Sequence, residues 1–223
     1  MGLDMYLYRF PRIKNYGPNE LMTANAYFDW QESDRAEGRS FEEWTGCDED
    51  SLPDKETMAR LKEMRSTRYW EWDSEHRYPN NRFYDQVAYW RKANAVHGWF
   101  VDHVQDGEDD CEWHNEVMKE VLEELRDVCK EILEKCVLVV GKVKNGYTIG
   151  PNGGRRWNYE EGKIVSNPQV CKKLLPCTDG FFFGNTEYNE YYMDDVKYTF
   201  EVLNKILEET DFDTQMIYYS SSW

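Results

Sequence analysis

The chain has 223 residues, 31 % of them charged, and a net charge of −16. That balance excludes nonspecific binding to nucleic acid or to an anionic membrane, because neutralising phosphate requires an excess of Lys and Arg; it fits simple solubility or a basic protein partner. The length suits one domain with insertions or two small ones, and aromatic residues at 16 %, including 9 Trp and 16 Tyr, provide the apolar area for a core and exclude wholesale disorder.

The N-terminal stretch MGLDMYLYRF has no basic segment followed by an apolar run, so it does not read as a secretion signal. Within it, Leu3, Met5 and Leu7 alternate with Asp4, Tyr6 and Tyr8, the pattern of a half-buried strand, which Phe10-Pro11 ends. Residues 12–80 are the least regular part and read as a mixed helical and loop insertion or lid rather than a separate core. In it, Ser40 with Glu43 forms a capping box, Leu52, Met58, Leu61 and Met64 suggest a helix with Pro53 near its start, and YPNN at 78–81 reads as a turn.

Residues 83–104 carry Val87, Trp90, Ala93, Val96, Phe100 and Val104 at helical spacing, which predicts a helix buried on most sides and broken by DGEDD at 106–110. Asn115 is the expected cap of a long amphipathic helix over about 116–136, whose stripe is Val121, Leu122, Leu125, Val128, Cys129, Ile132, Leu133 and Cys136. VLVVGKVKNGYTIG at 137–150 predicts a hairpin turning at Asn145-Gly146, followed by the loop GPNGGRRW. Asn167-Pro168 opens a short helix through Leu175, a last helix spans about 188–208 with Tyr192, Val196, Thr199, Leu203, Ile206 and Leu207 inward and Thr186 or Asn185 as cap, and QMIYYSSSW closes the chain as a strand. Strands at both ends that alternate apolar residues can pair with each other. The expected fold is therefore a single α+β domain over 1–223, with a small mixed or antiparallel sheet that includes both terminal strands, packed against three main helices.

The candidate chemistry centres on YWRKANAVHGWF, residues 89–100. On a helix, Arg91, Asn94 and His97 fall within about 120° of one another, flanked by Trp90 and Val101, while Lys92 points elsewhere. Arg offers a planar fork for carboxylate or phosphate, Asn donates and accepts, and His moves a proton near neutral pH. Arg91, Asn94, His97 and Trp90 are thus the expected contacts of an anionic ligand such as a nucleotide phosphate. The competing reading is structural, with Arg91 paired to a carboxylate of the protein and His97 bonded to backbone. Glu187 and Glu190, with Asp194 and Asp195, are usable as acid–base groups beside His97 or as ion-pair partners for Arg91, and equally as helix-start carboxylates. His97, His103, Cys111 and His114 lie close in sequence, but Cys111-x-x-His114 lacks the second pair of a zinc site, and DGEDDCE lacks the alternating ligands of a calcium loop. No metal and no cofactor is expected. GPNGGRR lacks the Lys-Ser/Thr ending of a phosphate-binding loop and reads as loop punctuation, with Arg155 and Arg156 able to touch an anion.

Six scattered cysteines show no disulfide spacing, and no apolar run approaches the roughly 18 residues of a membrane helix. These features predict a soluble cytoplasmic protein with reduced thiols.

The blocks MGLDMYL, YWRKANAVHGWFV, LLPCTDGFFFGNTEYNEYY and YYSSSW together resemble a family of proteins found in bacterial genomes, prophages and phages. The resemblance covers both ends and the centre but not residues 12–80, and it carries over no catalytic residues. It implies a mobile-element accessory protein in the cytoplasm of a bacterial host. Two functions follow as expectations. One is an acidic binding module that engages a host protein (basic or nucleic-acid-binding) or a nucleotide signal and blunts a defence system. The other is a transferase or hydrolase for a phosphorylated substrate, with Arg91 holding the anion, His97 moving a proton and Glu187 or Glu190 assisting.

Overall fold

A computed structural model describes residues 2–33, 36, 38–73, 76–110, 114–180 and 182–223, with the backbone alone over 68–73 and 76–80. The first strand, β1 (Asp4–Pro11), lies at the centre of a four-stranded antiparallel sheet. On one side it pairs with the last strand, β8 (Gln215–Ser222), in unbroken register from Asp4 opposite Ser222 to Pro11 opposite Gln215. On its other side runs β4 (Asp85–Arg91), with Met5 opposite Trp90; the short β5 (Asn115–Val117) completes the order β4-β1-β8-β5. The fold is α+β, and the terminal strands pair as their alternation predicts.

Alternation also sets the two faces of the sheet. Leu3 just before β1 and odd-numbered Met5 and Leu7 within it, with Ile217 and Tyr219 of β8, enter the larger core, against α4 (Asn94–Val104), α5 (Lys119–Lys135), α6 (Pro168–Leu174) and α7 (Glu190–Glu209). The predicted stripe of α5 is the one it buries: Leu122, Leu125, Cys129 and Ile132 are fully enclosed, followed by Cys136 at the C-cap. Even-numbered Tyr8 and Phe10, with Met216 and Tyr218, enter a second core. Its cover comes from the 12–80 region: α1 (Pro18–Glu32) brings Leu21, Ala24 and Phe28, and α3 (Lys55–Met64) brings Leu61. Phe10 stacks on Tyr84 with ring centroids 4.5 Å apart. Each such fully buried large apolar side chain is worth about 1.5–3 kcal/mol, so the region closes the sheet's second face. The capping box at Ser40 and Glu43 forms as expected and starts the short α2 (Phe41–Thr45).

Several predicted elements differ. Residues 83–104 are not one helix. Residues 85–91 form β4, and the chain reverses at Lys92, whose φ is +61° and whose amide donates to the Leu3 carbonyl, before α4 begins at Asn94. Ala88 and Trp90 satisfy a two-residue period against β1, while Ala93, Val96 and Phe100 satisfy a helical one, and together they mimic a single long helix. YPNN at 78–81 lies within β3 (His76–Arg82), which pairs with β2 (Ser66–Asp73) as a two-stranded ribbon. Pro79 is tolerated there because a two-stranded ribbon leaves each strand one edge without hydrogen-bond demand. Asn115 does not cap α5; it sits in β5, and its side chain donates to Asp110.

The hairpin at 138–165 turns later than expected. β6 (Leu138–Ile149) continues through Asn145-Gly146, which forms a bulge with Gly146 at φ +70°, and the turn to β7 (Arg155–Val165) is made by the Gly-rich loop after Ile149. A Gly able to adopt positive φ serves a bulge as readily as a tight turn. The final helix α7 is capped by Asn189, whose side-chain oxygen accepts from the Tyr191 and Tyr192 amides; neither Asn185 nor Thr186 caps it. Among the described residues no helix is long and apolar enough to cross a membrane.

Candidate functional site

The corner between β4 and α4 is held from two sides, by the loop before α7 and by α7 itself. Asn94 opens α4 as a buried residue, and its side chain is spent on one neighbouring loop: Nδ2 donates to the carbonyls of Phe183 (3.1 Å) and Asn185 (2.8 Å), and Oδ1 accepts from the Thr178 amide (3.2 Å). The loop 177–185 therefore lies against the helix. Gly98, one turn on, permits that approach, since a Cβ there would overlap the Thr178 hydroxyl. Trp90, at the end of β4, is buried and donates from Nε1 to Thr199 Oγ1 (2.9 Å); Thr199 in turn donates to the Asp195 carbonyl (2.7 Å). That chain fixes the β4 terminus against the turn of α7 that carries Asp195.

These clamps leave a cavity of about 430 Å³, with Arg91, Lys92, Asn94 and Ala95 on one side and Cys177, Gly184, Asn185, Glu187, Tyr191, Tyr192, Asp194 and Asp195 on the other. Of the residues the sequence singled out, the structure brings together Arg91, Asn94, Glu187, Asp194 and Asp195, and adds Lys92. The shared helical face expected for Arg91, Asn94 and His97 does not exist, because Arg91 is on a strand and the chain turns at Lys92 before the helix starts. His97 is 0 % exposed and does not line the cavity. Its Nδ1 meets the Tyr219 hydroxyl at 2.7 Å and its Nε2 meets Asp109 Oδ2 at 2.9 Å, so both nitrogens are occupied by side chains of the protein rather than by backbone or an outside ligand. Trp90 and Glu190 also stand outside the cavity lining; Glu190 lies 3.9 Å from Lys163 of the hairpin.

The charges in the cavity are unequal. Arg91 is exposed, and its Nε is 3.9 Å from Asp4, a long pairing rather than the expected contact with Glu187. Glu187 instead binds Lys144 of β6, by an ion pair of 3.3 Å and by accepting the Lys144 amide. Asp195 is the perturbed group: burial, with a smaller contribution from neighbouring Asp194, raises its carboxyl to about 7. Burial likewise pushes the Cys177 thiol up to about 11, with Asp195 adding to the rise, so at neutral pH it is a protonated thiol and a poor nucleophile. The cavity lining thus carries two cations, Arg91 and Lys92, three carboxyl groups, Glu187, Asp194 and Asp195, and the rings of Tyr191 and Tyr192, the Tyr192 hydroxyl being spent on the Leu175 carbonyl.

His103 stacks on Trp99 (3.7 Å) and bonds the Trp99 carbonyl, His114 packs on Tyr8, and Cys111 lies outside the described residues. Among the described residues no three His, Cys, Asp or Glu side chains converge as metal ligands. Arg155 and Arg156 are in β7, away from this cavity. Lys92 and Cys177 escaped the sequence reading. Helical geometry pointed Lys92 away, and Cys177 joins the site only through the loop that Asn94 pins, although the block LLPCTDGFFFGNTEY contains it. The chain matches no protein-family model, no curated protein and no solved structure.

Proposed function

We propose that the chain is a binding module whose cavity between β4, α4 and α7 receives a small phosphorylated molecule of nucleotide type. The observation that carries this reading is the pairing of Arg91 and Lys92 on one wall with the burial-perturbed Asp195 on the other, across a space of about 430 Å³. That volume falls in the usual range for small-molecule sites, roughly 300–1,000 Å³. The guanidinium and ammonium suit a phosphate, Tyr191 offers an exposed ring for a base, and a protonated Asp195 donates a hydrogen bond that an ionised carboxylate cannot. In the phage or prophage setting implied by the sequence resemblance, the ligand is a nucleotide signal of the bacterial host, and sequestering it in the host cytoplasm counteracts defence.

Titration calorimetry with nucleoside mono- and diphosphates tests this directly. Arg91→Ala is expected to weaken binding by about tenfold or more, the worth of one charge-assisted hydrogen bond, with unfolding unchanged because the side chain is exposed. Binding that ignores Arg91→Ala and Lys92→Ala, or no binding of any phosphate compound, rejects the proposal. The enzymatic alternative draws support from one observation, that a carboxyl titrating near 7 has the property required of a general acid–base group. In that case Asp195, rather than His97, moves the proton, and Asp195→Asn abolishes turnover of a bound nucleotide while leaving its affinity within a few fold.

A further inference from the structure

The hairpin β6–β7 differs in composition from the rest of the molecule. Residues 142–159 contain four cations and no carboxylate, in a chain where 43 of 223 residues are acidic. Its base is tied to the start of α7, where the Val165 amide donates to Tyr188 O and Lys144 pairs with Glu187. Beyond the base both strands are exposed along almost their whole length.

The register places Tyr147 opposite Trp157, Lys144 opposite Tyr159 and Ile149 opposite Arg155. The alternation of β7 sets Arg155, Trp157 and Tyr159 on one face, so the bulge at Asn145-Gly146 brings Lys144, Tyr147 and Ile149 to that same face. Ring contacts agree: Lys144 Nζ stands 5.2 Å from the Trp157 ring, and the Arg155 guanidinium 4.7 Å from the Tyr147 ring. Toward the base the same face carries Lys142 opposite Glu161 and then Val140 opposite Lys163, so the one carboxylate on it lies below the ring cluster. Tyr147, Trp157 and Tyr159 are all exposed, and Val140 and Ile149 are 73 % and 70 % exposed. A contiguous apolar face of this kind on a soluble chain marks an interaction surface, and Trp, Tyr and Arg are the residue types that concentrate binding energy at protein interfaces.

We infer that this face of the hairpin docks a protein segment in which carboxylates alternate with apolar side chains. Charge decides the sign of the partner. Beyond Lys144, which contacts Glu187, β6 runs on through Ile149, about 17 Å at strand rise, or roughly twice the Debye length of about 8 Å at physiological salt, so a partner at the tip meets the local cations more strongly than the acidic body. Apolar chemistry decides its class. Among the apolar side chains of the face the two most exposed, Val140 and Ile149, are aliphatic, which favours a polypeptide over nucleic acid. Four cations, two of them already lying over rings, are also a small complement for a phosphate backbone when known binders commonly make about 6–10 such contacts.

The test uses the full chain and labelled probes followed by fluorescence anisotropy: a peptide alternating Glu and Leu, polyglutamate of equal charge, and oligothymidine of equal charge. The Glu–Leu peptide is expected to bind most tightly, and Trp157→Ala and Arg155→Glu are each expected to weaken it by about tenfold without changing the thermal unfolding of these exposed positions. Equal binding of polyglutamate, which needs no apolar face, overturns the inference. So does tighter binding of oligothymidine through the same residues, which assigns the arm to nucleic acid. Dimerisation abolished by Trp157→Ala assigns the face to a second copy, and absence of Glu–Leu binding removes the basis altogether. None of these outcomes depends on what the cavity holds.

Discussion

Asp195 shows how burial sets a measurable property of a single residue. Its folded carboxyl titrates near 7, whereas an unfolded Asp titrates near 4. The folded chain therefore holds the proton more tightly, so the residue's contribution is fully present below about pH 4, is lost as pH rises to about 7, and is constant beyond. Replacing it with Asn removes that dependence: Asp195→Asn is expected to exceed the parent in stability above about pH 7, by at most about 4 kcal/mol before water access is discounted, with the gap closing toward pH 4. Urea unfolding across that range reads the difference, and a gap that widens as pH falls contradicts the assignment. His97 contributes through packing and hydrogen bonds. It is fully enclosed between the Tyr219 hydroxyl and the partly exposed Asp109, so His97→Ala removes both hydrogen bonds and opens a cavity, and is expected to cost about 2–5 kcal/mol. Ligand affinity of the folded fraction, measured by calorimetry, should not change. Which polar residues of YWRKANAVHGWF face the cavity depends on the sharp turn at Lys92, which residue types alone do not reveal.

At the scale of elements, the path of loop 177–185 over α4 decides whether the cavity exists. Gly98→Ala places a methyl group against the Thr178 side chain and is expected to cost about 1–3 kcal/mol while weakening phosphate binding through a displaced loop. Unaltered binding in a folded Gly98→Ala protein would show that the loop can shift without reshaping the site. Periodicity read α5 and α7 well because each buries one stripe against a single core and exposes the rest. It failed at 83–104, where a strand buried on one side and a helix buried on most sides adjoin, so two different periods merge into an apparent third. It also failed at Asn145-Gly146, because the local conformation of a bulge and of a hairpin turn call for the same residues. Only strand pairing beyond that point distinguishes them.

Across the whole molecule, stability depends on joining the chain's two ends. β1 pairs with β8 along its full length and has β4 on its other edge, so deleting residues 215–223 exposes both cores and is expected to abolish cooperative unfolding; near-UV circular dichroism checks this. The second core makes a related point about residues 12–80. Leu21→Ala and Leu61→Ala are each expected to cost about 2–5 kcal/mol, since both side chains are fully enclosed between these helices and the sheet. Substitutions in a dispensable lid would cost far less, and chemical denaturation separates the two cases.

The sequence by itself determined the α+β class, the pairing-competent strands at both termini, and the stripes of α5 and α7, because each follows from a local period that burial on one face enforces. It also located the neighbourhood of the cavity, through the polar groups of 89–100 and the carboxylates of 187–195. Only the tertiary structure decided that Lys92 joins Arg91, that His97 is sealed away, that Asp195 becomes the perturbed group, and that the arm at 138–165 gathers its rings and cations on one face. Those outcomes depend on where the chain reverses and on how deeply a side chain is enclosed by residues far away in sequence, and neither quantity is encoded in the spacing of neighbouring residues.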